Sequence, residues 1–400
     1  MPTWRTRSRY HSAGFPLILL LGELLATPCL AQPARWSEQK ASDWYAQQPW
    51  LVGSNYIPAT AINQLEMWQA ETFDPQRVDL EFGWAESIGL NTMRVFLHDL
   101  PWQEDASGFR KRIATFLAIA AKHHIRILFV LFDSVWDPNP HLGKQHDPTP
   151  GVHNSGWVQS PGAAALQDSS QWPRLEAYVK GVVGAFANDP RVLGWDVWNE
   201  PSNTNVPAYG NDEPPNKKEI VRNLLPKVFA WARAAGATQP LTSGLWEGHY
   251  AKPEKFDAIA KLQFEQSDVL SFHNYSQPSV FEKQVRELQK YNRPVICTEY
   301  MARPRKSTFE GILPIAKSDE VGAINWGLVA GRTQTNLPWD SWRKPYVHGR
   351  QPKVWFHEIF QTDGKPYRQE EADFIRKISS APAAAQSQSR ENLLRAGNGR

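Results

Sequence analysis

Eight short apolar segments alternate with amphipathic segments along the chain, and this alternation constrains the fold more than any other feature of the sequence. The apolar segments carry β-branched and aromatic residues at consecutive positions, a pattern typical of parallel strands that are buried on both faces. Such alternation predicts an α/β fold. The eight segments are residues 50–56, 92–98, 126–132, 192–199, 240–246, 269–275, 294–300 and 323–329.

Helix signals occupy the segments between the predicted strands. Residues 74–89 carry them most clearly, with Asp74 as the N-cap, Pro75 at the first helical position and Gly89 after the last turn. Amphipathic patterns follow the other strands as well, and the one over residues 252–266 is the weakest. Each predicted strand is therefore followed by a predicted helix.

Eight strand–helix units fit either an open doubly wound sheet or a closed (β/α)8 barrel. No glycine-rich phosphate-binding motif follows the first strand, which argues against a dinucleotide-binding sheet. We therefore predict a single-domain (β/α)8 TIM barrel over residues 32–380. Two long loops, residues 133–171 and 202–216, follow predicted strands and should rise from the C-terminal face, where barrel active sites lie.

The two ends of the chain differ from its body. Three arginines precede a short apolar run at residues 15–26, and small residues lead to Ala31. This pattern predicts a signal peptide over residues 1–31 and an exported protein, periplasmic or extracellular. The run is too short to span a bilayer, so we expect no membrane span after its removal. Residues 381–400, rich in Ala, Gln, Ser and Arg, predict a disordered tail.

The charge balance gives no reason to expect a nucleic-acid partner. The chain carries 44 Lys and Arg against 41 Asp and Glu, a net charge of +3, and removal of residues 1–31 with three arginines and one glutamate leaves +1. A chain this close to neutrality has no electrostatic attraction to nucleic acid or to an anionic membrane.

After removal of residues 1–31, Cys297 would be the remaining cysteine, so stability must come from the core rather than from a disulfide.

Polar and aromatic side chains stand at the predicted carboxyl ends of the strands. These positions are far apart in the sequence, but in a closed barrel they meet at one mouth. They are Arg94 on the second strand, Asn199 and Glu200 on the fourth, His273 and Tyr275 on the sixth, Glu299 on the seventh and Trp326 on the eighth.

Two carboxylates across a cleft suit the hydrolysis of a glycosidic bond, in which one protonates the leaving oxygen and the other attacks the anomeric carbon or activates water. The apolar neighbours of Glu200 favour its protonated form, which suits the acid. Contact with Arg94 and Tyr275 would keep Glu299 ionised, which suits the nucleophile. Asn199 would donate to a sugar 2-hydroxyl.

The sequence resembles the retaining glycoside hydrolases of clan A, and most closely family 5, the cellulase and mannanase group. The resemblance extends over residues 50–360, where "WNEP" at 198–201 resembles the acid/base motif of the fourth strand and "TEY" at 298–300 the nucleophile motif of the seventh. It implies a TIM barrel with Glu200 as acid/base and Glu299 as nucleophile. Sugar-binding positions of the family match, in order, Arg94, His273, Tyr275 and Trp326, the last as the floor under the sugar ring.

One position departs from the family pattern. Family 5 cellulases often carry a histidine at the end of the third strand, where this chain has Asp133 and Ser134. The catalytic pair is unaffected, but the sugar contacts differ, so mannan, glucan and xylan all stay open as substrates. Residues 55–74 resemble a divergent branch of the family that is described only as cellulase-like.

Aromatic and polar residues outside these motifs are further candidates for sugar contacts. Trp136, Asn154 and Trp157 lie in the 133–171 loop and would reach the sugar from there. Core packing and sugar stacking are equally good readings of the loop tryptophans, which are Trp136, Trp246, Trp339 and Trp342.

Three histidines of the same loop invite a metal-site reading. His141, His146 and His153 are irregularly spaced and have no cysteine nearby, so we expect solvated loop histidines, with His153 as a further sugar-contact candidate.

We therefore expect an exported enzyme that cleaves a β-linked oligo- or polysaccharide by double displacement and needs neither cofactor nor metal. Asp99, Asp133 and Glu247 also stand near predicted strand ends and are rival carboxylates. Two alternatives share the residues of the site: an inactive barrel that only binds carbohydrate, and a transglycosylase.

Overall fold

Eight parallel strands form the centre of the structure, a computed structural model that describes residues 1–7, 9, 34–206, 208–247 and 250–380. Each strand overlaps one of the eight apolar segments of the sequence and is shorter than that segment, because the last residues of most segments leave the sheet at the barrel mouth. The strands are β1 (Val52–Tyr56), β2 (Thr92–Phe96), β3 (Arg126–Val130), β4 (Val192–Asp196), β5 (Leu241–Thr242), β6 (Leu270–His273), β7 (Val295–Glu299) and β8 (Gly322–Asn325).

Helices surround the strands. The described residues form α1 (Glu38–Ala46), α2 (Gln64–Trp68), α3 (Pro75–Ser87), α4 (Asp99–Lys122), α5 (Ala163–Gln167), α6 (Trp172–Ala185), α7 (Lys217–Ala234), α8 (Ala258–Gln266), α9 (Pro278–Gln289), α10 (Phe309–Ser318) and α11 (Gln369–Ser380). The predicted start of α3 is confirmed, because Asp74 accepts a hydrogen bond from the Arg77 N–H. The sequence patterns missed α1, α2 and α5, whose 9, 5 and 5 residues are too few for a clear period.

The order of the strands confirms the predicted barrel. Neighbours in the sheet follow the order β5-β4-β3-β2-β1-β8-β7-β6, all parallel. A bridge beyond the end of β5 joins the two edges, since the Leu245 N–H donates to Ser271 O and the His273 N–H donates to Leu245 O, both at 2.9 Å. The carboxyl ends of all eight strands therefore meet at one mouth.

Two apolar clusters hold the barrel together. Side chains such as Val95, Phe129 and Trp195 fill the layer between strands and helices, and all three are fully buried. Leu128 and Ile296 belong to a second cluster, which α1 joins. Burial of each large apolar side chain contributes about 1.5–3 kcal/mol. Above this second cluster the mouth is lined by polar, charged and aromatic residues.

The barrel belongs to the second of two units of the chain, Met1–Gln32 and Pro33–Arg400. Most of the predicted signal peptide (1–31) and all of the predicted tail (381–400) lie outside the described residues, so both stay predictions. No helix within the described ranges is both long and apolar enough to cross a membrane.

Candidate active site

Glu200 and Glu299 face one another at the carboxyl ends of the strands. One oxygen of each carboxylate and one ring nitrogen of His273 all lie within 4.8 Å of one another. They line a cleft of about 380 Å³. The barrel thus brings together two carboxylates that are 99 positions apart in the sequence.

Glu200 lies further beyond the end of its strand than the predicted segment 192–199 implies. β4 ends at Asp196, and Glu200 follows four residues later with φ +43°, in the left-handed region that non-glycine residues rarely adopt. The preceding Asn199 N–H donates to Phe132 O, and the Asn203 N–H donates to Glu200 O, which together fix this turn. The strained backbone turns the carboxylate over the mouth rather than outward.

Within the described part of the chain, the Glu200 carboxylate contacts two polar side chains. Asn203 Nδ2 donates to Oε2 at 2.7 Å, and His273 Nδ1 lies 2.9 Å from Oε1. Burial raises the pKa of Glu200 to about 7, and the hydrogen bond from Asn203 only partly opposes this. Around neutral pH a large share of Glu200 is therefore protonated, as an acid requires.

Glu299 is the last residue of β7 and is held from two sides. Arg94 Nη1 donates to Oε1 and the Tyr275 hydroxyl donates to Oε2, both at 2.8 Å. Burial raises the pKa of Glu299, whereas His273, Arg94 and the Tyr275 hydrogen bond lower it. The two contacts predicted from the sequence are present, but burial outweighs them, so Glu299 has a higher pKa than the sequence led us to expect.

His273 lies between the two carboxylates. Its Nδ1 is 2.9 Å from Glu200 and 3.4 Å from Glu299. Burial lowers the pKa of His273 to about 4, so the ring is neutral at the pH where the carboxylates exchange protons. His273 therefore orients both carboxylates without adding a fixed charge.

Arg94 lies beneath the cleft and does not line it. Its guanidinium is fully buried and bonds Glu299, Asp196, Asn55 and Asn199 at 2.7–3.0 Å. The predicted contact between Arg94 and substrate is therefore wrong, because protein groups already accept hydrogen bonds from all five N–H groups of the guanidinium. Arg94 holds Glu299 and Asn199 in place instead.

Asn199 is fixed from below on both sides of its amide. Its Oδ1 accepts from Arg94 at 2.7 Å, and its Nδ2 donates to Asp133 Oδ1 at 2.9 Å. One N–H of the amide thus stays available at the cleft that Asn199 lines. Asp133 is buried, which raises its pKa to about 7, and it holds Asn199 from a position outside the cleft lining.

The aromatic candidates divide into two groups. The cleft is lined by Trp136, Trp246, Trp326 and Trp339 together with Tyr275. Trp342 stacks on Trp136 at 5.1 Å between ring centroids. Trp157, by contrast, is buried behind the cleft, where it packs on Phe96 and Trp326 and donates to Asp133. The predicted sugar contact of Trp157 is therefore wrong.

The 133–171 loop reaches the cleft as predicted, through Trp136, His153 and Asn154. His153 is buried rather than solvated, and its burial lowers its pKa to about 4. His141 and His146 are exposed and bond backbone oxygens of their own loop. The three histidines are therefore not gathered around a common point.

Several residues of the cleft were missed by sequence reasoning. They come from segments without a motif: Asn203, Asn274, Gln284, Arg305 and His357. The segment after β8 was not recognised as a long loop, although its length and its Trp, Pro and Gly content are the signal that could have indicated one.

The rival carboxylates lie elsewhere. Asp99 is buried against Arg174 at 2.6 Å and does not line the cleft. Glu247 is exposed and acts on Glu200 only through its charge, which raises the pKa of Glu200.

Glu200, His273 and Glu299 are also close enough to hold a metal ion. Both oxygens of Glu299 already accept hydrogen bonds, one of them from the Arg94 cation. A divalent cation at this point would lie beside the buried positive charge of Arg94, which repels it. The donor set therefore fits a proton-transfer pair better than a metal centre.

Residues 151–331 match the family model described as "Cellulase (glycosyl hydrolase family 5)". No curated protein sequence matches the chain.

Solved structures share the fold at low identity. A GH5_18 variant from Streptomyces cattleya in complex with Manβ1-4GlcNAc has a TM-score of 0.54 at 13% identity, over 84% of this chain and 82% of that one. The exo-β-1,4-mannosidase Op5Man5 from Opitutaceae bacterium strain TAV5 gives 0.53 at 16%, over 86% and 60%. The endo-1,4-β-mannanase from Rhizomucor miehei gives 0.52 at 15%, over 82% and 97%.

Proposed function

We propose that this chain, a clan A glycosidase similar to family 5, hydrolyses β-glycosidic bonds with retention of configuration through a covalent glycosyl-enzyme intermediate. The observation that carries the proposal is the approach of Glu200 and Glu299 to within 4.8 Å across one cleft. Retaining enzymes place their carboxyl groups about 5–5.5 Å apart, whereas inverting enzymes leave about 6.5–9.5 Å for a water molecule.

Glu299 is the nucleophile in this mechanism. One oxygen of its carboxylate attacks the anomeric carbon while the glycosidic C–O bond breaks. The proton of the Glu200 carboxyl passes to the departing oxygen. In the second step Glu200 removes a proton from water, and the resulting hydroxide displaces Glu299 from the anomeric carbon.

The surroundings of the two carboxyls support these roles. Among the described residues no Lys or Arg contacts Glu200, and burial raises its pKa to about 7, which keeps the proton that the leaving group needs. Glu299 accepts from Arg94 and Tyr275, and both hydrogen bonds favour its ionised form. The free N–H of Asn199 is suited to the sugar 2-hydroxyl, and Trp326 to the face of the ring.

The substrate is a β-linked oligo- or polysaccharide, and a β-mannoside is the first candidate. The support is the set of similarly folded proteins named above, two of which are a mannosidase and a mannanase. Glucan and xylan series complete the panel. We further propose that residues 1–31 are removed on export, which N-terminal sequencing of secreted protein tests.

A panel of aryl β-glycosides tests the function. The wild type should release the phenol, and Glu299→Gln should lose several orders of magnitude in kcat with its fold intact. Glu265→Gln on α8, exposed and remote from the cleft, is the matched control and should keep full activity. A 2-deoxy-2-fluoro glycoside should label Glu299 covalently, as mass spectrometry of the peptides would reveal.

Two other outcomes separate the alternatives. Measurable sugar binding without release of phenol at any pH would favour a carbohydrate-binding barrel over an enzyme. Transfer of the glycosyl group to sugar acceptors in place of water would favour a transglycosylase.

A further inference from the structure

The two carboxylates divide the barrel mouth into two arcs. Between β4 and β7 one arc contains β5 and β6, and the other contains β3, β2, β1 and β8. Trp326 follows β8, so a sugar ring placed on it lies in the second arc. The leaving group then departs past Glu200 toward the first arc, which Trp246, Asn274 and Gln284 line.

The second arc is closed by a wall that two loops form. One loop is residues 133–171 after β3, and the other is residues 327–360 after β8. They join across β1 and β2, because the Asn154 N–H donates to Thr333 O at 2.7 Å and the Tyr346 N–H donates to Gly151 O at 2.8 Å.

Glycine is required where the two loops meet. Gly151 has φ +73°, and a Cβ there would lie 2.3 Å from Tyr346 O, so the backbones approach more closely than any other residue allows. Trp136 of the first loop stacks on Trp342 of the second, and the His153 N–H donates to Ser341 Oγ at 2.9 Å. The wall is therefore a packed structure rather than a loose flap.

The wall also covers the segment that follows β1. Asn63 donates to Gln145 at 2.8 Å and to Gly156 O at 2.9 Å, and Gln64 donates to Val158 O at 3.0 Å. Neither the segment after β1 (residues 57–73) nor the two residues after β2 (residues 97–98), all of which the structure describes, line the cleft.

The space behind Trp326 is too small for a second sugar. That cavity is lined by Trp157 and Phe96 and has a volume of about 20 Å³, against about 380 Å³ for the cleft. Such a volume holds one or two water molecules. A chain that continued beyond the ring on Trp326 would therefore meet the wall.

Uncharged acceptor groups line the cleft on the wall side. The amide oxygen of Asn154 is buried and has no hydrogen-bond partner among the described residues. His153 Nδ1 donates to Leu337 O and His357 Nδ1 donates to Met301 O, so each neutral ring keeps Nε2 as an acceptor. Acceptors of this kind take hydrogen bonds from sugar hydroxyls.

Resting on the retaining glycosidase function above, we propose that the cleft is a blind pocket for the non-reducing terminal sugar. The enzyme then acts as an exo-glycosidase, and Asn154 binds a hydroxyl that is free only in a terminal residue. In an internal residue of a β-1,4-linked chain the 4-hydroxyl is substituted, and the next sugar would occupy the place of the wall.

Capped oligosaccharides test the proposal. Hexaoses of the β-1,4-mannan, glucan and xylan series, labelled at the reducing end, are compared with the same chains methylated on the terminal 4-hydroxyl. The exo pocket predicts stepwise loss of single sugars from the free chains and at least a hundredfold slower cleavage of the capped ones. Early internal cuts at equal rates in both would overturn the exo proposal while leaving the hydrolase intact.

The aryl glycoside panel keeps the two proposals apart. If no aryl glycoside and no hexaose is cleaved, the hydrolase proposal fails and the exo inference fails with it. If aryl glycosides are cleaved and the hexaoses are cut internally, only the exo inference fails.

Asn154→Gly tests the role of the amide, because glycine tolerates the φ of +51° at this position. We expect kcat/KM on free hexaose to fall about tenfold or more, and the preference for free over capped chains to shrink. Asn292→Gly is the matched control, since Asn292 is exposed, has φ +52° and lies outside the cleft. An unchanged preference in folded Asn154→Gly would overturn the assignment of Asn154.

Discussion

The hydroxyl of Tyr275 donates a 2.8 Å hydrogen bond to Oε2 of Glu299. Burial holds the pKa of Tyr275 well above its usual value of 10, so this oxygen keeps its proton and can only donate to the carboxylate. The contact favours the ionised form of Glu299 and aims its other lone pairs at the cleft.

Tyr275→Phe should therefore weaken catalysis and shift its pH dependence. Loss of a hydrogen bond to a charged group should lower kcat/KM by about tenfold to hundredfold. The pKa of Glu299 should rise, which moves the acidic limb of the kcat/KM profile to higher pH. Tyr45→Phe, near the opposite end of the barrel, is the control. An unshifted acidic limb in Tyr275→Phe would show that Tyr275 does not stabilise the ionised form of Glu299.

The pH profile of the wild type should be bell-shaped. Glu200 must be protonated to donate, and burial raises its pKa to about 7, so kcat/KM should fall as the pH rises through that value. Glu299 must be ionised, so activity should also fall at low pH. Glu200→Ala on a substrate with a strongly acidic leaving group should lose the basic limb and keep the acidic one. Profiles from pH 4 to 9 would measure both limbs, and a flat profile would contradict the pairing.

The amide of Asn199 should matter only when the sugar carries a 2-hydroxyl. Asn199→Ala should lower kcat/KM on an ordinary aryl β-glycoside by about a hundredfold, because this contact strengthens at the transition state. The loss on the matching 2-deoxy glycoside should be much smaller. Asn139→Ala, exposed on the 133–171 loop, is the control. Equal losses on both substrates would mean that Asn199 acts only through its contacts with Arg94 and Asp133.

Glu358 should make the protein less stable as the pH rises. It is fully buried with one oxygen unpartnered among the described residues, and burial raises its pKa to about 8 in the folded state. The unfolded pKa is about 4.3, so between roughly pH 4 and 8 the folded chain holds a proton that the unfolded chain has lost. For this one proton, the unfolding free energy falls by about 1.4 kcal/mol for each unit by which the pH rises within that range.

Glu358→Gln removes that proton from the balance. Urea unfolding between pH 5 and 8 should give a shallower decline than the wild type by about one proton, with the variant relatively more stable at the upper end. Other buried carboxyls with raised pKa, such as Asp133, keep part of the slope. The control is Glu265→Gln at an exposed position, which should keep the same slope of stability against pH as the wild type. Identical slopes for the wild type and Glu358→Gln would contradict the burial argument.

The sequence determined the barrel and singled out the two carboxylates that face one another at its mouth. Strand and helix periods are local patterns, and "WNEP" and "TEY" are contiguous motifs, so Glu200 and Glu299 could be chosen without coordinates. The parallel order of the strands then follows, because a strand–helix repeat has few ways to pack.

Only the tertiary structure decided what surrounds that pair. The left-handed turn that carries Glu200 past its strand, the burial of Arg94 beneath Glu299 and the inward turn of Trp157 arise from contacts between residues far apart in the chain. The wall between residues 133–171 and 327–360 arises in the same way. Such contacts leave no period in the sequence, because their energy depends on which distant backbone lies opposite.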